Sequence, residues 1–279
     1  MGTVRRWRHE LSKTGLRAPL VWARHRGLGP KDAFVGSYPR SGSTWLRFLL
    51  LECLTGQSSA FGNVNHYIPD VGHHRAAGAL LPGGGRLIKT HEPYREEYRK
   101  ALYLVRDVRD VLLSEHAYHK ALGFAGDELD AYMSSFLRGT VSPFGSWQNH
   151  VNTWLDAGSL TRNELLVIRF EDLRRNAEET LAGILEFLGA GVDPKVIREA
   201  VANNSVERMR AKEVQSPQKA SKQGRFIRSG SVGGWRGRLS DGQLELIWRY
   251  AGSALERLGY PGASSPAEKE PREPLRKPS

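Results

Sequence analysis

Short apolar runs alternate along the chain with segments of helical periodicity, and this alternation constrains the fold more than any other feature. The runs are bounded by polar or glycine-rich segments, as buried parallel strands are. They predict strands at 33–36, 86–88, 101–105 and 164–170. Apolar residues spaced three and four apart predict helices over 44–54, 108–120, 147–157, 177–188, 194–201 and 243–258. The pattern predicts an α/β fold with a central parallel sheet flanked by helices.

The length and the charge distribution predict one domain with a tail at each end. A chain of 279 residues can bury a large core, and we place the domain at 33–262. Residues 1–32 form a basic arm with eight Lys or Arg and two acidic residues. Residues 263–279 lack core-forming side chains, so we expect them to be disordered. We predict loops at 78–85 and 213–234, which are rich in small and polar residues.

The formal net charge of +11 predicts an anionic partner, which the charge alone leaves open between nucleic acid, a membrane surface and a small polyanion. The sequence has no apolar run near the ~20 residues that a membrane-spanning helix needs, so we expect no integral membrane association. The single cysteine, Cys53, cannot form an internal disulfide, which suits a reducing cytoplasm. We expect a cytoplasmic protein with Cys53 as a small buried apolar side chain.

The stretch Ser37-Tyr-Pro-Arg-Ser-Gly-Ser-Thr-Trp45 lies where the first strand passes into the first predicted helix. Backbone N–H groups and the positive end of the helix converge at such a place and form an anion site. Gly42 allows close approach of the backbone, and the side chains of Ser41, Ser43 and Thr44 add hydroxyl groups. Arg40 adds a charge that can bind an anion through two nitrogens. We predict a phosphate site in this loop.

Two common nucleotide folds do not fit this loop. A P-loop nucleotide triphosphatase has the spacing G-x-x-x-x-G-K-[ST], but Gly36 and Gly42 are one residue too far apart and Ser43 occupies the lysine position. A dinucleotide fold needs three glycines at fixed spacing after the strand, and they are missing.

The loop resembles the 5′-phosphosulfate loop of sulfotransferases that use 3′-phosphoadenosine 5′-phosphosulfate (PAPS). The resemblance implies a three-layer, P-loop-like fold and a co-substrate, PAPS, that leaves as adenosine 3′,5′-bisphosphate (PAP). It also implies that Arg40, where the cytosolic members more commonly have Lys, contacts the bridging oxygen, and that Trp45 lies against the adenine. Matching motifs follow in the family order from about residue 33 to residue 235, which makes the resemblance far more specific than one loop.

Two of these further motifs resemble the family's contacts to the 3′-phosphate. Arg106 and Ser114 stand in Tyr103-Leu-Val-Arg-Asp-Val-Arg-Asp-Val-Leu-Leu-Ser114, a strand that runs into a helix. Arg228, Ser229 and Gly230 stand in a later loop that ends in Gly-Gly-Trp235, with Ser229 at the place of a usual Lys. The resemblance implies that these five residues bind the 3′-phosphate. The family's usual Tyr and its adenine-stacking Phe are replaced by Phe170 and Val206.

The fourth match, Ile88-Lys-Thr-His-Glu-Pro93, ends a predicted strand, where open α/β sheets bind ligands. It implies that Lys89 contacts the sulfonated end of the donor and that His91 is the catalytic base. Glu92 is the alternative base, although neighbours on an extended segment point in opposite directions. The scheme needs no metal ion. The reaction would be an in-line displacement by the hydroxyl of a small-molecule acceptor.

Two other functions remain open as alternatives: a nucleotide kinase-like P-loop enzyme, and a basic nucleic-acid-binding protein without catalysis. Neither explains the four ordered motifs, so we expect no nucleic-acid partner. The acceptor and the oligomeric state stay undetermined. We expect the acceptor pocket in the segments 55–85, 115–145 and 210–225, whose aromatic residues are Phe61, Tyr67, Tyr118, Phe124, Tyr132 and Phe144.

Overall fold

A computed structural model describes residues 17–160, 164–216, 227 and 230–262, and within them a parallel four-stranded sheet forms the centre of the fold. The strands are β1 (Ala33–Ser37), β2 (Leu87–Thr90), β3 (Lys100–Val105) and β4 (Glu164–Arg169). Their order is β2-β1-β3-β4, and every neighbouring pair is parallel. The predicted strands are confirmed, with ends that differ by one or two residues.

The strand ends differ from the prediction because polar residues take part in the pairing. Lys89 lies opposite Val35 and Thr90 opposite Gly36, so β2 continues past the apolar run. Lys89 is buried there because its ammonium group pairs with the carboxylate of Asp70 at 2.6 Å. At the other end of the prediction, β4 stops at Arg169, and Phe170 begins a helix.

Helices cover both faces of the sheet, which confirms the predicted α/β architecture. They are α1 (Arg17–His25), α2 (Ser43–Thr55), α3 (Val64–Tyr67), α4 (Val108–Ala121), α5 (Leu129–Leu137), α6 (Trp147–Leu160), α7 (Phe170–Arg175), α8 (Ala177–Phe187), α9 (Pro194–Asn203), α10 (Val206–Val214) and α11 (Asp241–Arg257). One apolar core joins the sheet to α4, α5, α6 and α11, and a second joins it to α2, α8 and α9. The sheet is therefore the middle layer of three.

Several helices have no counterpart in the sequence prediction. In α10 the only buried apolar residue is Met209, so the helical period is weak, and the helix begins because the Ser205 side chain accepts a hydrogen bond from the Arg208 N–H. It reaches Val214, into the predicted loop 213–234, most of which lies outside the described residues. The predicted loop 78–85 contains no helix or strand.

The described part of the basic arm is attached to the fold. The Arg24 guanidinium donates to the Val71 carbonyl at 2.6 Å, and the His25 ring pairs with the Tyr98 hydroxyl at 2.6 Å. Residues 1–16 and the predicted tail 263–279 lie outside the described residues. The segment 17–25 is thus a helix that packs on the domain and contributes polar contacts to it.

The strand order determines where a ligand can bind. From β1 the chain goes to β2 on one side, and then crosses over β1 to β3 on the other side. In open α/β sheets this change of direction leaves a crevice beyond the carboxyl ends of the strands. The loops that follow β1, β2 and β3 therefore meet at one edge.

We predict that Gly36→Ala destabilises the fold. Gly36 lies in the centre of the sheet, and a Cβ there would overlap the Trp154 ring. Overpacking of this kind costs about 1–3 kcal/mol, so the midpoint of urea unfolding should fall. Gly183→Ala is the matched control, since Gly183 is exposed in α8 with nothing near its Cβ position and should leave the midpoint unchanged or raise it. Equal midpoints for wild type and Gly36→Ala would contradict the prediction.

Candidate active site

The loop between β1 and α2 has the conformation of an anion site. Arg40 has φ +66, the only positive φ of a non-glycine residue in the described chain, and Gly42 has φ +97. A Cβ on Gly42 would lie 2.6 Å from Cδ2 of Phe170, so both the backbone angle and the packing require glycine. Gly42 is the N-cap of α2 and has no side chain to cap the first N–H groups. The buried Oγ of Ser41 has no hydrogen-bond partner among the described residues.

Two arginines at the ends of β1 and β3 border this loop. Nε of Arg40 donates to Oγ of Ser114 at 3.1 Å. Arg106 donates to the Arg40 carbonyl at 3.3 Å and to the Ser231 carbonyl at 2.9 Å, and its guanidinium lies 4.5 Å from the centre of the Phe170 ring. Its buried Nε has no partner within the described chain. The structure thus brings together the predicted residues Arg40, Arg106 and Ser114.

Lys89 at the end of β2 is part of a buried charge cluster. Its Nζ pairs with Oδ1 of Asp70 at 2.6 Å. Burial would raise the pKa of Asp70, but the charges of Lys89 and Arg47 lower it to about 2. Burial also lowers the pKa of Lys89, and Asp70 opposes that change. Asp70 therefore remains ionised and keeps the Lys89 ammonium at the site.

His91 is held in one tautomer by the backbone. Its Nδ1 lies 2.6 Å from the Ser37 carbonyl, which can only accept, so Nδ1 carries the proton and Nε2 carries the lone pair. Burial and then the charge of Lys89 lower the pKa of His91 well below its ordinary value. The ring is therefore neutral at neutral pH. His150 holds the backbone of His91 in place, because its Nε2 donates to the His91 carbonyl at 3.1 Å.

Glu92, the alternative base, is occupied by an ion pair. The Arg17 guanidinium donates to both oxygens of Glu92, at 2.6 and 2.7 Å. Arg17 also donates to the Pro143 carbonyl at 2.7 Å and lies over the Phe144 ring, which contacts His91. The two carboxylate oxygens of Glu92 are thus bound to α1, while His91 faces the cavity.

One cavity of 620 Å³ connects these groups. It is lined by residues of the loop between β1 and α2 and by polar and charged side chains, among them Arg40, Lys89, His91 and Arg106. It is also lined by a mainly aromatic and apolar set, here called the acceptor wall: Tyr118, His119, Leu122, Phe124, Pro143 and Phe144. Charged groups that suit an anion and apolar groups that suit a carbon skeleton thus share one cavity.

The sequence matches a known protein family over most of its length. The sequence profile of the sulfotransferase domain matches residues 30–259. The chain belongs to the sulfotransferase domain family. This confirms the predicted resemblance and the predicted class of enzyme, a transferase that uses PAPS as its sulfonyl donor.

Individual relatives agree with this assignment. The chain is 27% identical to sulfotransferase 2A6 of Rattus norvegicus over 240 residues, which cover 78% of this chain and 82% of the relative. It is 24% identical to sulfotransferase 1C2 of Homo sapiens over 245 residues, or 77% of this chain and 80% of the relative. The chain is thus homologous to cytosolic-type sulfotransferases.

Solved structures support the fold. A retinol dehydratase in complex with androsterone and inactive cofactor PAP superposes with a TM-score of 0.70 at 19% identity, over 86% of each chain. A mouse sulfotransferase, SULT7A1, complexed with PAP, gives 0.65 at 21% identity over 86% of this chain and 94% of that one. The fold expected from the loop and strand pattern is therefore confirmed. Within the described ranges, no helix is both long enough and apolar enough to cross a membrane.

The sulfotransferase cavity contains most of the predicted site residues. Gly42, Ser43, Thr44, Trp45, Ser114 and Gly230 line it, together with the four charged residues named above. Nε1 of Trp45 donates to the Asn204 carbonyl at 2.9 Å, and the Arg174 guanidinium lies 5.1 Å from the Trp45 ring. Arg228 and Ser229 lie outside the described residues, so their predicted contacts stay a prediction.

The predicted acceptor aromatics separate into two groups. Tyr118, Phe124 and Phe144 line the acceptor wall. Phe61 and Tyr132 are buried in the two apolar cores. Tyr67 does not line the cavity, and its hydroxyl donates to Oε1 of Gln57 at 2.6 Å. The cores need aromatic side chains as much as a pocket does, so residue type alone does not distinguish them.

Three residues at the site were missed by the sequence prediction. Asp70 and Arg17 act through contacts with Lys89 and Glu92 that are 19 and 75 positions away, which no local pattern reveals. Glu115 follows Ser114 directly in the second motif, so its position was available from the sequence. Its burial in the lining of the cavity could not be predicted from the sequence.

We predict that Gly42→Ala abolishes binding of PAP. The new methyl group would force the left-handed backbone of the loop to change and would collide with Phe170. Gly56→Ala is the control, because Gly56 ends the same helix with φ +68 and open space around its Cβ position. Both variants lose the freedom of glycine, but only Gly42→Ala should lose the PAP-induced rise in melting temperature. Normal binding by Gly42→Ala would mean that the loop does not hold the nucleotide.

Proposed function

We propose that the protein transfers the sulfonyl group of PAPS to a hydroxyl group of a small-molecule acceptor, with His91 as the general base. One observation carries the proposal. The Ser37 carbonyl fixes the proton on Nδ1, so Nε2 presents a lone pair in the cavity that also contains the phosphate loop. The lowered pKa of His91 keeps the ring in the neutral form that a base needs.

The residues of the site fit the donor. PAPS carries roughly four negative charges near neutral pH, counting its phosphates as esters. In the proposal, Arg40 and the residues 41–45 bind the 5′-phosphosulfate and the adenine, while Arg106, Ser114 and the residues 228–230 bind the 3′-phosphate. Two buried polar atoms, Oγ of Ser41 and Nε of Arg106, lack partners in the described chain, and phosphate oxygens would complete both.

The proposed reaction is an in-line displacement at sulfur. Nε2 of His91 takes the proton of the acceptor hydroxyl while the acceptor oxygen bonds to sulfur. The bond from sulfur to the bridging oxygen breaks, and its electron pair stays on the 5′-phosphate of PAP. Lys89 and Arg40 stabilise the charge that develops there, an effect that is usually the largest single contribution to catalysis.

We also propose a cytoplasmic location for the enzyme. A cytoplasmic location suits Cys53, which is buried and whose pKa burial raises to about 12, so that it stays an unreactive thiol.

A kinase-like function would need a lysine where Ser43 stands. Nucleic-acid binding would need the basic side chains on an outer surface, whereas Arg40, Lys89 and Arg106 line the cavity. We retain 33–262 as the domain, preceded by the basic arm 1–32 and followed by the tail 263–279.

We predict that PAP raises the melting temperature of the protein and that Arg106→Ala removes most of the effect. A ligand at 100 times its dissociation constant adds about 2.7 kcal/mol to the stability. AMP, which lacks the 3′-phosphate, should bind wild type and Arg106→Ala about equally, so the loss should be specific to PAP. Lys100→Ala changes a cation at the other end of β3 and is the control. Equal losses for PAP and AMP would remove Arg106 from the 3′-phosphate site, and no shift with PAP would refute the proposed function.

We predict that His91→Ala lowers turnover by about 10²- to 10⁴-fold, the usual contribution of a general base, while PAP still binds. His66→Ala, which removes an exposed imidazole from α3, should keep wild-type turnover. The release of PAP in the presence of an acceptor measures both.

The pH profile gives a second measure of the same assignment. Because the pKa of His91 is lowered in the free enzyme, kcat/KM of the wild type for PAPS should stay level as the pH falls through ~6.5, the ordinary pKa of histidine. It should decline only at more acidic pH, where Nε2 takes up a proton. A decline centred at or above the ordinary value, or near wild-type turnover of His91→Ala, would refute the role of His91.

A further inference from the structure

A buried carboxyl group lies next to the acceptor wall. Glu115 follows Ser114 on α4 and is 3% exposed, yet it lines the cavity. Tyr118, His119 and Leu122 follow on the same face of the helix, three, four and seven residues later, and line the same cavity. Glu115 therefore belongs to the part of the cavity that is rich in aromatic and aliphatic side chains.

One oxygen of the Glu115 carboxyl group has no partner in the described part of the chain. Its buried Oε2 has no hydrogen-bond partner in the part of the chain that the structure describes. Its Oε1 lies 3.9 Å from Nε2 of His119, beyond hydrogen-bond distance. Burial raises the pKa of Glu115 to about 8, and the charge of Arg40 only partly opposes this. A buried polar group without a partner is costly, so a purely structural role does not account for glutamate here.

A role in binding the donor does not account for Glu115 either. PAPS is a polyanion, so an ionised Glu115 would repel its phosphates, and a neutral Glu115 adds no positive charge to bind them. The donor groups come instead from Arg40, Arg106 and Lys89. The remaining occupant of the cavity is the acceptor.

We propose that Glu115 selects acceptors that carry a second hydrogen-bond donor, a hydroxyl or an amino group, besides the hydroxyl that is sulfonated. Such a group supplies the partner that Oε2 lacks, while Tyr118 and Phe124 pack against the carbon skeleton. A site built to hydrogen-bond a substrate group discriminates against analogues without it, because the buried protein group is left unpaired. The inference rests on the proposed function and names its acceptor class.

The test compares acceptors that differ only in the terminal group. Para-ethylphenol, tyrosol and tyramine carry a hydrogen, a hydroxyl and an amino group at the end of the same ethyl chain, and the matching cyclohexanols extend the series to aliphatic alcohols. PAP release gives kcat/KM for each compound with wild type, Glu115→Gln and Glu115→Leu. We expect wild type to prefer a polar member over the ethyl member of its series. Glu115→Leu should reduce that preference by about 10- to 100-fold, the value of a hydrogen bond to a charged or buried group.

Glu115→Gln distinguishes a hydroxyl from an amino group of the acceptor as the donor of this hydrogen bond. An amide still accepts from a hydroxyl, so a hydroxylated acceptor should keep most of its kcat/KM. A bound ammonium group favours the ionised form of Glu115 and pairs with it. The amide of Glu115→Gln cannot replace this charge, so an amine acceptor should lose nearly as much as in Glu115→Leu. Glu245→Gln, an exposed glutamate of α11, is the control and should leave the preference unchanged.

Two results would overturn the inference. The first is a wild-type enzyme for which no polar member is a substrate, or for which the ethyl members are equally good. The second is a preference for polar members that Glu115→Leu retains. The PAP-induced rise in melting temperature separates this failure from that of the proposed function: it should be normal in Glu115→Leu, and its absence from wild type would refute the donor site itself.

Discussion

The pairing of β1 with β2 on one side and β3 on the other is the constraint on which the site depends. Gly36 lies opposite Thr90 and Tyr103, so the three strands end at the same edge. The phosphate loop, the Lys89–His91 segment and Arg106 follow at that edge. A shift of one residue in the β1–β2 register would move Lys89 to the other face of the sheet and break the hydrogen bond from His91 to Ser37. The relative positions of these residues are therefore fixed by the pairing of the strands, in addition to the contacts of their own side chains.

Unfavourable local features are concentrated at this edge. Arg40 has a left-handed backbone, and the polar atoms Ser41 Oγ, Arg106 Nε and Glu115 Oε2 are buried without partners in the described chain. Strain and unsatisfied groups of this kind persist where the surrounding structure holds them in place. Here the two apolar cores on either face of the sheet hold them, and in the proposed function these groups bind the phosphates and the acceptor.

The sequence was sufficient to predict the sheet and to place the loop after β1 and His91 at one edge of it, because each placement depends on a local pattern. A buried parallel strand appears in the sequence as a short apolar run, and the loop appears as small residues between a strand and a helix. The pairs Lys89–Asp70 and Glu92–Arg17 depend on distant segments, so no spacing could predict them. The aromatic residues show the same limit: Phe124 lines the cavity and Phe61 fills a core, although both lie in segments where we expected the acceptor pocket.

Lys89 and His91 are separated by one residue, so an extended backbone places both side chains on the same side. In the free enzyme burial and then the charge of Lys89 lower the pKa of His91, and Asp70 offsets part of that effect. In the proposed complex, a phosphate bound at Lys89 would add negative charge beside the ring and raise the pKa of His91 again, which would make Nε2 a stronger base. Under the proposed function, the free enzyme keeps His91 unprotonated, and the donor increases its basicity in the complex that the acceptor enters. The cation proposed to bind the leaving phosphate would thereby link donor binding to proton removal from the acceptor.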